Sequence, residues 1–487
     1  MKQKSKHFLL LMLLSAGLFL GTILMPRNSS AIPAFAEKFH FSCAVCHTVF
    51  PNLNPFGRAF WRNGFRLPGT NGTPADATQV AQGLSLPNPW PIPIAIETVI
   101  NYRHATNENI PANATGGGIV TAGATDNFTA SFNMVAAGAF KLYTPLSNSL
   151  SFYVHFGQSH GSPTAMGLIL GWASLNGIGS GFGIPSHLVN LKAGLLTTAS
   201  PYFYRQDPNT AAGNTVQLAN GPVQAGQGLN VGYDGEAGAL IHGSNTGGFG
   251  LYGTPGYHLW YKVTVTNDPG SPSSGASNAE ALVGGTHSNA MAYTYQLKEY
   301  APIPMGQLEL GYYGATVAEP ISVNNESWTN RVAVNGVDID LANDIYELGL
   351  TYMVQSDSNP YGSSNAALPS YIQDTSNGYS TFEVYGRYLL PQIGKGVMLS
   401  ADYAQYSWTH EQTQKNFNAQ AANGNCANLY QNGSYTEVNG GCNEGIKNSL
   451  LLEAQYNLAY NAHIYLGYDI TNQTEDNILQ TGLDFAF

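Results

Sequence analysis

Thr381-Phe382-Glu383-Val384-Tyr385-Gly386-Arg387-Tyr388 alternates apolar or small side chains with Thr, Glu, Tyr and Arg. Successive side chains of a strand point to opposite faces, so this segment has one oily face and one polar face. Ile94-Ala95-Ile96-Glu97-Thr98-Val99-Ile100-Asn101-Tyr102-Arg103 and Leu308-Glu309-Leu310-Gly311-Tyr312-Tyr313 read the same way. The chain ends Leu483-Asp484-Phe485-Ala486-Phe487, an alternating run finishing in Phe, as expected of a closing barrel strand. An amphipathic edge strand of a soluble sandwich is the alternative reading of that tail.

Working outward, similar runs begin near residues 94, 128, 149, 165, 187, 228, 256, 291, 306, 331, 344, 380, 396, 448, 462 and 479. Tight connections fall at 143–147, 302–305, 391–395 and Asn461; long polar ones fall at 105–127, 197–227, 268–290, 357–379 and 408–447. Bacterial membrane barrels have even strand numbers, short periplasmic turns and longer outer loops. With both termini periplasmic, short and long connections alternate only if the weak run at 331 is counted. The expectation is therefore a mostly β fold, a transmembrane antiparallel β-barrel of about 16 strands, with fourteen or eighteen as alternatives.

Composition agrees. Charged residues make up 10% of the chain, against roughly 25% in ordinary soluble proteins. Gly (55), Tyr (29) and Phe (21) are abundant, and no helix-length apolar run follows residue 40. A net charge of −11 offers no basic footprint for nucleic acid. Lys2, Lys4 and Lys6 precede an apolar run from Phe8 to Met25, which reads as a signal peptide over residues 1–36. Cleavage is expected near Ala31 or Ala36, with an uncleaved anchor as the alternative. An outer membrane in contact with lipid is the expected location. The domains are then the leader, a segment at 37–90, and a porin-like barrel at 91–487.

The segment at 37–90 carries Cys43-Ala44-Val45-Cys46-His47. Two thiols three positions apart can reach the two vinyl groups on one edge of a haem, and the next histidine meets the iron. Cys-x-x-Cys-His is thus a c-type haem attachment motif, with Cys43 and Cys46 as the thioethers and His47 as an axial ligand of the iron. The competing readings, a redox dithiol or half a zinc site, lack a thioredoxin-like pattern or a second cysteine pair. One covalent haem c is expected, within a short helical or irregular plug too small for a core of its own.

The sixth iron ligand is open. Met134, Met166, Met291, Met305, Met353 and Met398 are candidates, as are His40, His104, His155, His187, His242, His258 and His463. The two remaining cysteines, Cys426 and Cys442, lie in an Asn/Gly-rich stretch of an exported chain and read as a loop disulfide.

Ala31-Ile32-Pro33-Ala34-Phe35-Ala36, the haem motif, and Pro51-x-Leu53-x-x-Phe56-Gly57-Arg58-x-Phe60-x-x-Asn63-Gly64-Phe65 together resemble the fused outer-membrane monohaem cytochrome c–porins of iron-oxidising bacteria, and among them the acidophilic Acidithiobacillus members. The chain departs from that family's pattern at residues 37–41, at Trp61 and at Phe65. The resemblance implies an iron-oxidising electron-transfer cytochrome. Extracellular Fe(II) would give electrons through a lumen-held haem to a periplasmic cytochrome c or copper protein. Rival expectations are a diffusion porin with a haem-bearing structural plug, electron export to an extracellular acceptor, and an exported haem peroxidase, for which no distal His–Arg pair stands out.

Overall fold

The computed structural model describes Phe35, Phe39 and residues 41–49, 52–67, 77–81, 84–87, 94–111, 119–142, 144, 146–158, 166–196, 246–267, 286–287, 291–323, 326–358, 377–408, 429–431, 434–436, 448–459, 461–471 and 477–486. Sixteen long strands form a closed antiparallel barrel. They are β1 (Ile94–Pro111), β2 (Ile119–Leu142), β3 (Ser149–Gln158), β4 (Met166–Asn176), β5 (Asn190–Leu196), β6 (Thr246–Gly253), β7 (Leu259–Asn267) and β8 (Met291–Ile303). The remainder are β9 (Gly306–Val323), β10 (Glu326–Ala342), β11 (Tyr346–Asp357), β12 (Asn377–Leu390), β13 (Val397–Trp408), β14 (Asn448–Ala459), β15 (Ala462–Thr471) and β16 (Ile478–Ala486). Each pairs with the next, and β16 closes onto β1 with Leu483 opposite Ile100 and Ala486 opposite Glu97. Closure leaves no open edge, which is the condition for a sheet to stand in lipid.

The alternation seen in the sequence is the two faces of the wall. In β15, Ile464, Leu466, Tyr468 and Ile470 are exposed while His463, Tyr465 and Asp469 are buried inward. In β8, Tyr293 and Leu297 face out and Thr294, Gln296 and Lys298 face in. An apolar outer surface repeated around a whole barrel is stable only against hydrocarbon. The protein is an outer-membrane β-barrel.

The strand readings compare unevenly with the sequence expectation. The run at 331 is the inner part of a 17-residue strand, β10. It reads weakly because Asn335, Gly336 and Asp338 interrupt its oily pattern, yet β9 pairs along its whole length from Gln307–Ala342 to Val323–Glu326. The supposed outer loop at 105–127 is largely strand, since β1 and β2 stay paired to Pro111 opposite Ile119. Its Asn, Gly and Pro residues read as turn formers and its Thr and Ala are small, so period carries little signal there. The strand start near 228 lies outside the described residues; the sixth described strand begins at Thr246. In the expected linker, residues 77–81 and 84–87 form a short hairpin whose Leu84 pairs with Leu142 at the foot of β2.

The segment ahead of the barrel holds one short helix, α1 (Pro55–Arg62). Asn54 caps it by accepting from the Gly57 amide, and Pro55 takes the first position, where a missing N–H costs nothing. At its far end Gly64 (φ +67°) and Phe65 (φ +60°) turn the chain back through the left-handed region. Glycine adopts that region freely, but Phe65 does so at a cost of order 1 kcal/mol. Its ring repays this by stacking on Trp172 of β4, centroids 5.7 Å apart and planes 1° from parallel.

Candidate functional site

The cysteine loop is built onto the start of α1. Cys43 to Val45 form one 3-10 turn, and His47 to Val49 pair with Asn52 and Leu53. Asn54 ties the two pieces together: its Nδ2 donates to the Ala44 and Val45 carbonyls, both at 3.1 Å, and its amide donates to the Cys46 carbonyl at 2.9 Å. Gly57 lies directly beneath that same carbonyl, where any Cβ would collide with it. The position therefore has to be glycine for the loop to lie flat on the helix.

Cys43 and Cys46 are free thiols, half-buried, and followed at once by half-buried His47. Burial pushes the Cys46 thiol up to about 11, with the nearby Cys43 adding to the rise. Burial also raises Cys43, against a backbone hydrogen bond that lowers it. Redox-active dithiols need the opposite, a lowered thiol. The donor set fits covalent haem c: two free thiols three positions apart are followed directly by an imidazole.

The helix carries this loop into the barrel, where two kinds of contact hold it. On the β8–β12 side the contacts are ionic. Arg58 Nη1 donates to Asp340 (3.2 Å) and Glu347 (3.1 Å), and Arg62 forks onto Glu309 at 2.7 and 2.8 Å while also reaching the Tyr300 hydroxyl. Lys298 bridges Glu309 and Asp338, and Arg387 reaches Glu347. Four carboxylates thus meet four bases, all with side chains less than a tenth exposed. Burial lowers the Arg62 guanidinium, but the Glu309 charge outweighs it and holds the group above its ordinary value.

The β2–β5 side is aromatic. Phe60 and Phe65 join Tyr153, Trp172, Leu170 and Leu196 in one buried cluster, with Phe35, Phe39 and Trp61 packed against it. Trp61 meets Tyr153 edge-on at 4.8 Å. Beyond the helix, Arg66 is buried without a carboxylate partner in this network and donates to the Ser186 carbonyl and to Asn190 Oδ1. Ser151 hooks the Gly64 carbonyl. These contacts lie near the ends of strands joined by the short turns, placing α1 at the periplasmic mouth.

The sixth-ligand candidates are scattered. Met291 faces outward on the lipid side and Met305 is exposed in a turn, so neither lines the lumen. Met353 and Met398 are buried on the inner face, and Met134 is half-buried. His155 Nε2 faces Asn133 Oδ1 at 3.1 Å, which binds it to the wall, whereas His463 Nε2 is buried 3.7 Å from Asp484 and makes no hydrogen bond among the described residues. His187 packs on the Tyr257 ring in the periplasmic turns, and His258 Nδ1 faces the Gly256 carbonyl. His104 lies in β1 and Met166 begins β4. Residues 1–34 and Ala36 of the expected leader, His40, His242 and the Cys426–Cys442 pair lie outside the described residues.

Sequence reading missed the clamp. Its one signal was Arg58 and Arg62, four apart on a single helix turn in a chain with only 19 lysines and arginines.

No family model matches the chain, and no curated protein matches it. Among solved structures it is similar to Salmonella typhi OmpF (11% identity, TM-score 0.44), covering 81% of this chain and 98% of that one. It is also similar to the outer-membrane channel DcaP of Acinetobacter baumannii (9%, TM-score 0.47), covering 85% and 100%. A mutant porin of Rh. blastica scores 0.38 at 10% identity, covering 81% and 100%. The fold rests on the strand pairing above. The class is a 16-stranded outer-membrane β-barrel with its own N-terminal helix docked in the mouth.

Proposed function

We propose that this protein is an outer-membrane electron conduit, a monohaem cytochrome c whose attachment segment is held inside its own barrel. The observation that supports this best is the joining of Cys43, Cys46 and His47, through Asn54 and Gly57, to a helix locked into the lumen wall. A haem attached there supplies a one-electron centre within a sleeve whose apolar band, about 25 Å tall, otherwise offers no electron path. The chain does the rest. Asn54 and Gly57 orient the loop, Arg58 and Arg62 fix the helix against the wall, and Phe60, Phe65 and Trp61 exclude water from the opposite side.

Electron entry from extracellular Fe(II) and exit to a periplasmic cytochrome c or copper protein follow from the family resemblance of residues 31–65. Purified protein in detergent should show a c-type spectrum that acidic Fe(II) converts to the reduced form; an attached haem that stays oxidised overturns the iron reading. His47→Ala should lose normal iron ligation, and an unchanged spectrum would remove that assignment. A redox titration with low-temperature electron paramagnetic resonance separates import from export and reports both axial ligands.

A second reading, a diffusion porin with α1 as a structural plug, is favoured by the porin-like fold itself. It expects solute conductance with no Fe(II)-dependent reduction.

A further inference from the structure

Strands β3 to β7 form an arc of wall without acid. Among the described residues from Ser149 to Asn267 there is no Asp or Glu, and the only lysines or arginines are Lys192 and Lys262. The clamp on β8–β12, by contrast, sets carboxylates against its bases. Arg66 of the docked segment is buried against the same acid-free arc. It donates there to neutral groups: the Asn63 and Ser186 carbonyls and the side-chain oxygens of Asn63 and Asn190.

Register brings the three bases together. Lys192 lies opposite Gly250 of β6, and Lys262 lies opposite Tyr252, two residues further along the same strand. Asn190, the acceptor for Arg66, stands two residues before Lys192. Steps of two keep to one face of a strand, so Asn190 with its Arg66, Lys192 and Lys262 share one patch of the lumen face. Lys262 is close enough for its charge to act on that of Lys192.

Two aromatic rings position the Lys192 ammonium. Its Nζ stands 3.8 Å from the centre of the Trp172 ring and 4.9 Å from that of Tyr252. The Tyr252 hydroxyl is engaged by Ser174 and Asn176, and Nζ makes no ion pair or hydrogen bond among the described residues. Ring faces attract a cation without accepting its N–H groups at lone pairs, so all three donors stay available. Lys192 and Lys262 are both half-buried on the lumen face. Like charges drawn together out of bulk water are costly unless a counter-charge joins them. A concave wall of one sign also concentrates ions of the other.

We propose that Lys192 and Lys262, backed by the charge of Arg66, form an anion site of the lumen that takes a small oxyanion. An oxyanion carries several acceptor oxygens, so one molecule can receive donors from both lysines at once, and such charge-assisted bonds are the strong ones. The site lies near the periplasmic ends of β5–β7, against the same Trp172 ring on which Phe65 stacks. None of its residues belongs to the haem motif.

The test is a calorimetric titration of the purified full-length protein with inorganic sulfate, in uncharged detergent and mildly acidic buffer of low ionic strength. The wild type should bind saturably, and Lys192→Met should bind at least about tenfold more weakly. Lys262→Met should weaken binding in the same direction, while Lys395→Met, in an exposed turn, should bind like the wild type. A folded wild type that takes up no sulfate overturns the proposal. So does undiminished binding in a folded Lys192→Met or Lys262→Met variant, and so does an equal loss in Lys395→Met, which would mean diffuse charge alone. Barrel folding is checked in each variant by resistance to heat in detergent. Haem reduction by Fe(II) is read separately, so the failure of either reading leaves the other standing.

Discussion

The two sides of the lumen that grip α1 do so by different physics. Toward β8–β12 the helix offers Arg58 and Arg62 to Asp340, Glu347 and Glu309; toward β2–β5 it offers Phe60, Trp61 and Phe65 to Tyr153 and Trp172. Taking ion pairs out of water nearly cancels their attraction, so the charged side adds little net stability. It adds position instead, because a displaced guanidinium would leave buried carboxylates unmatched. The aromatic side supplies the burial energy, with each ring pair contributing about 0.5–1.5 kcal/mol beyond its area. One wall fixes where the helix sits, and the other makes it stay.

Three substitutions would break that contrast. The largest effect is expected of Glu309→Gln, which leaves Arg62 and Lys298 facing a neutral amide. Breaking a buried pair from one side costs about 3–5 kcal/mol. The plug should loosen, seen as higher ion conductance in planar bilayers and faster proteolysis near α1. Arg62→Met combined with Glu309→Gln should recover part of the loss; a double variant as leaky as the single would mean that charge balance does not set the position.

Trp172→Ala comes next, at roughly 3 kcal/mol for an aromatic cavity. It should loosen the helix without altering Arg62–Glu309, so the Trp172→Ala and Glu309→Gln effects on plug proteolysis should add. Strong non-additivity would show that the two walls act as one unit. The smallest effect, about 1–3 kcal/mol of overpacking, is expected of Gly57→Ala. There the added methyl meets the Cys46 carbonyl, so the loop should shift while the helix stays docked. Haem attachment yield should fall with conductance unchanged; a rise in conductance would tie the loop and the seal together.

Much of the barrel was legible because strand period is a local property. Leu308–Tyr313 and Thr381–Tyr388 announce their faces within eight residues. The parity of short and long connections rescued β10, whose Asn335 and Gly336 hide its alternation. Where side chains are small, as in residues 105–127, period faded and strand was taken for loop. The Cys43–His47 spacing is equally local, and the haem proposed above rests on it. The clamp was not. Arg58 finds Asp340 across 282 residues and Glu347 across 289, and no local pattern encodes such a pairing.

The sequence by itself determined an amphipathic wall, its strand count and the chemistry available at Cys43, Cys46 and His47. Each of these follows from neighbours along the chain. Only the tertiary structure decided that the helix behind that motif docks at the periplasmic mouth, and that its arginines pair with the carboxylates of one wall. Closing the barrel brings distant strands around one lumen, and the cost of burying charge there sets which of them must pair.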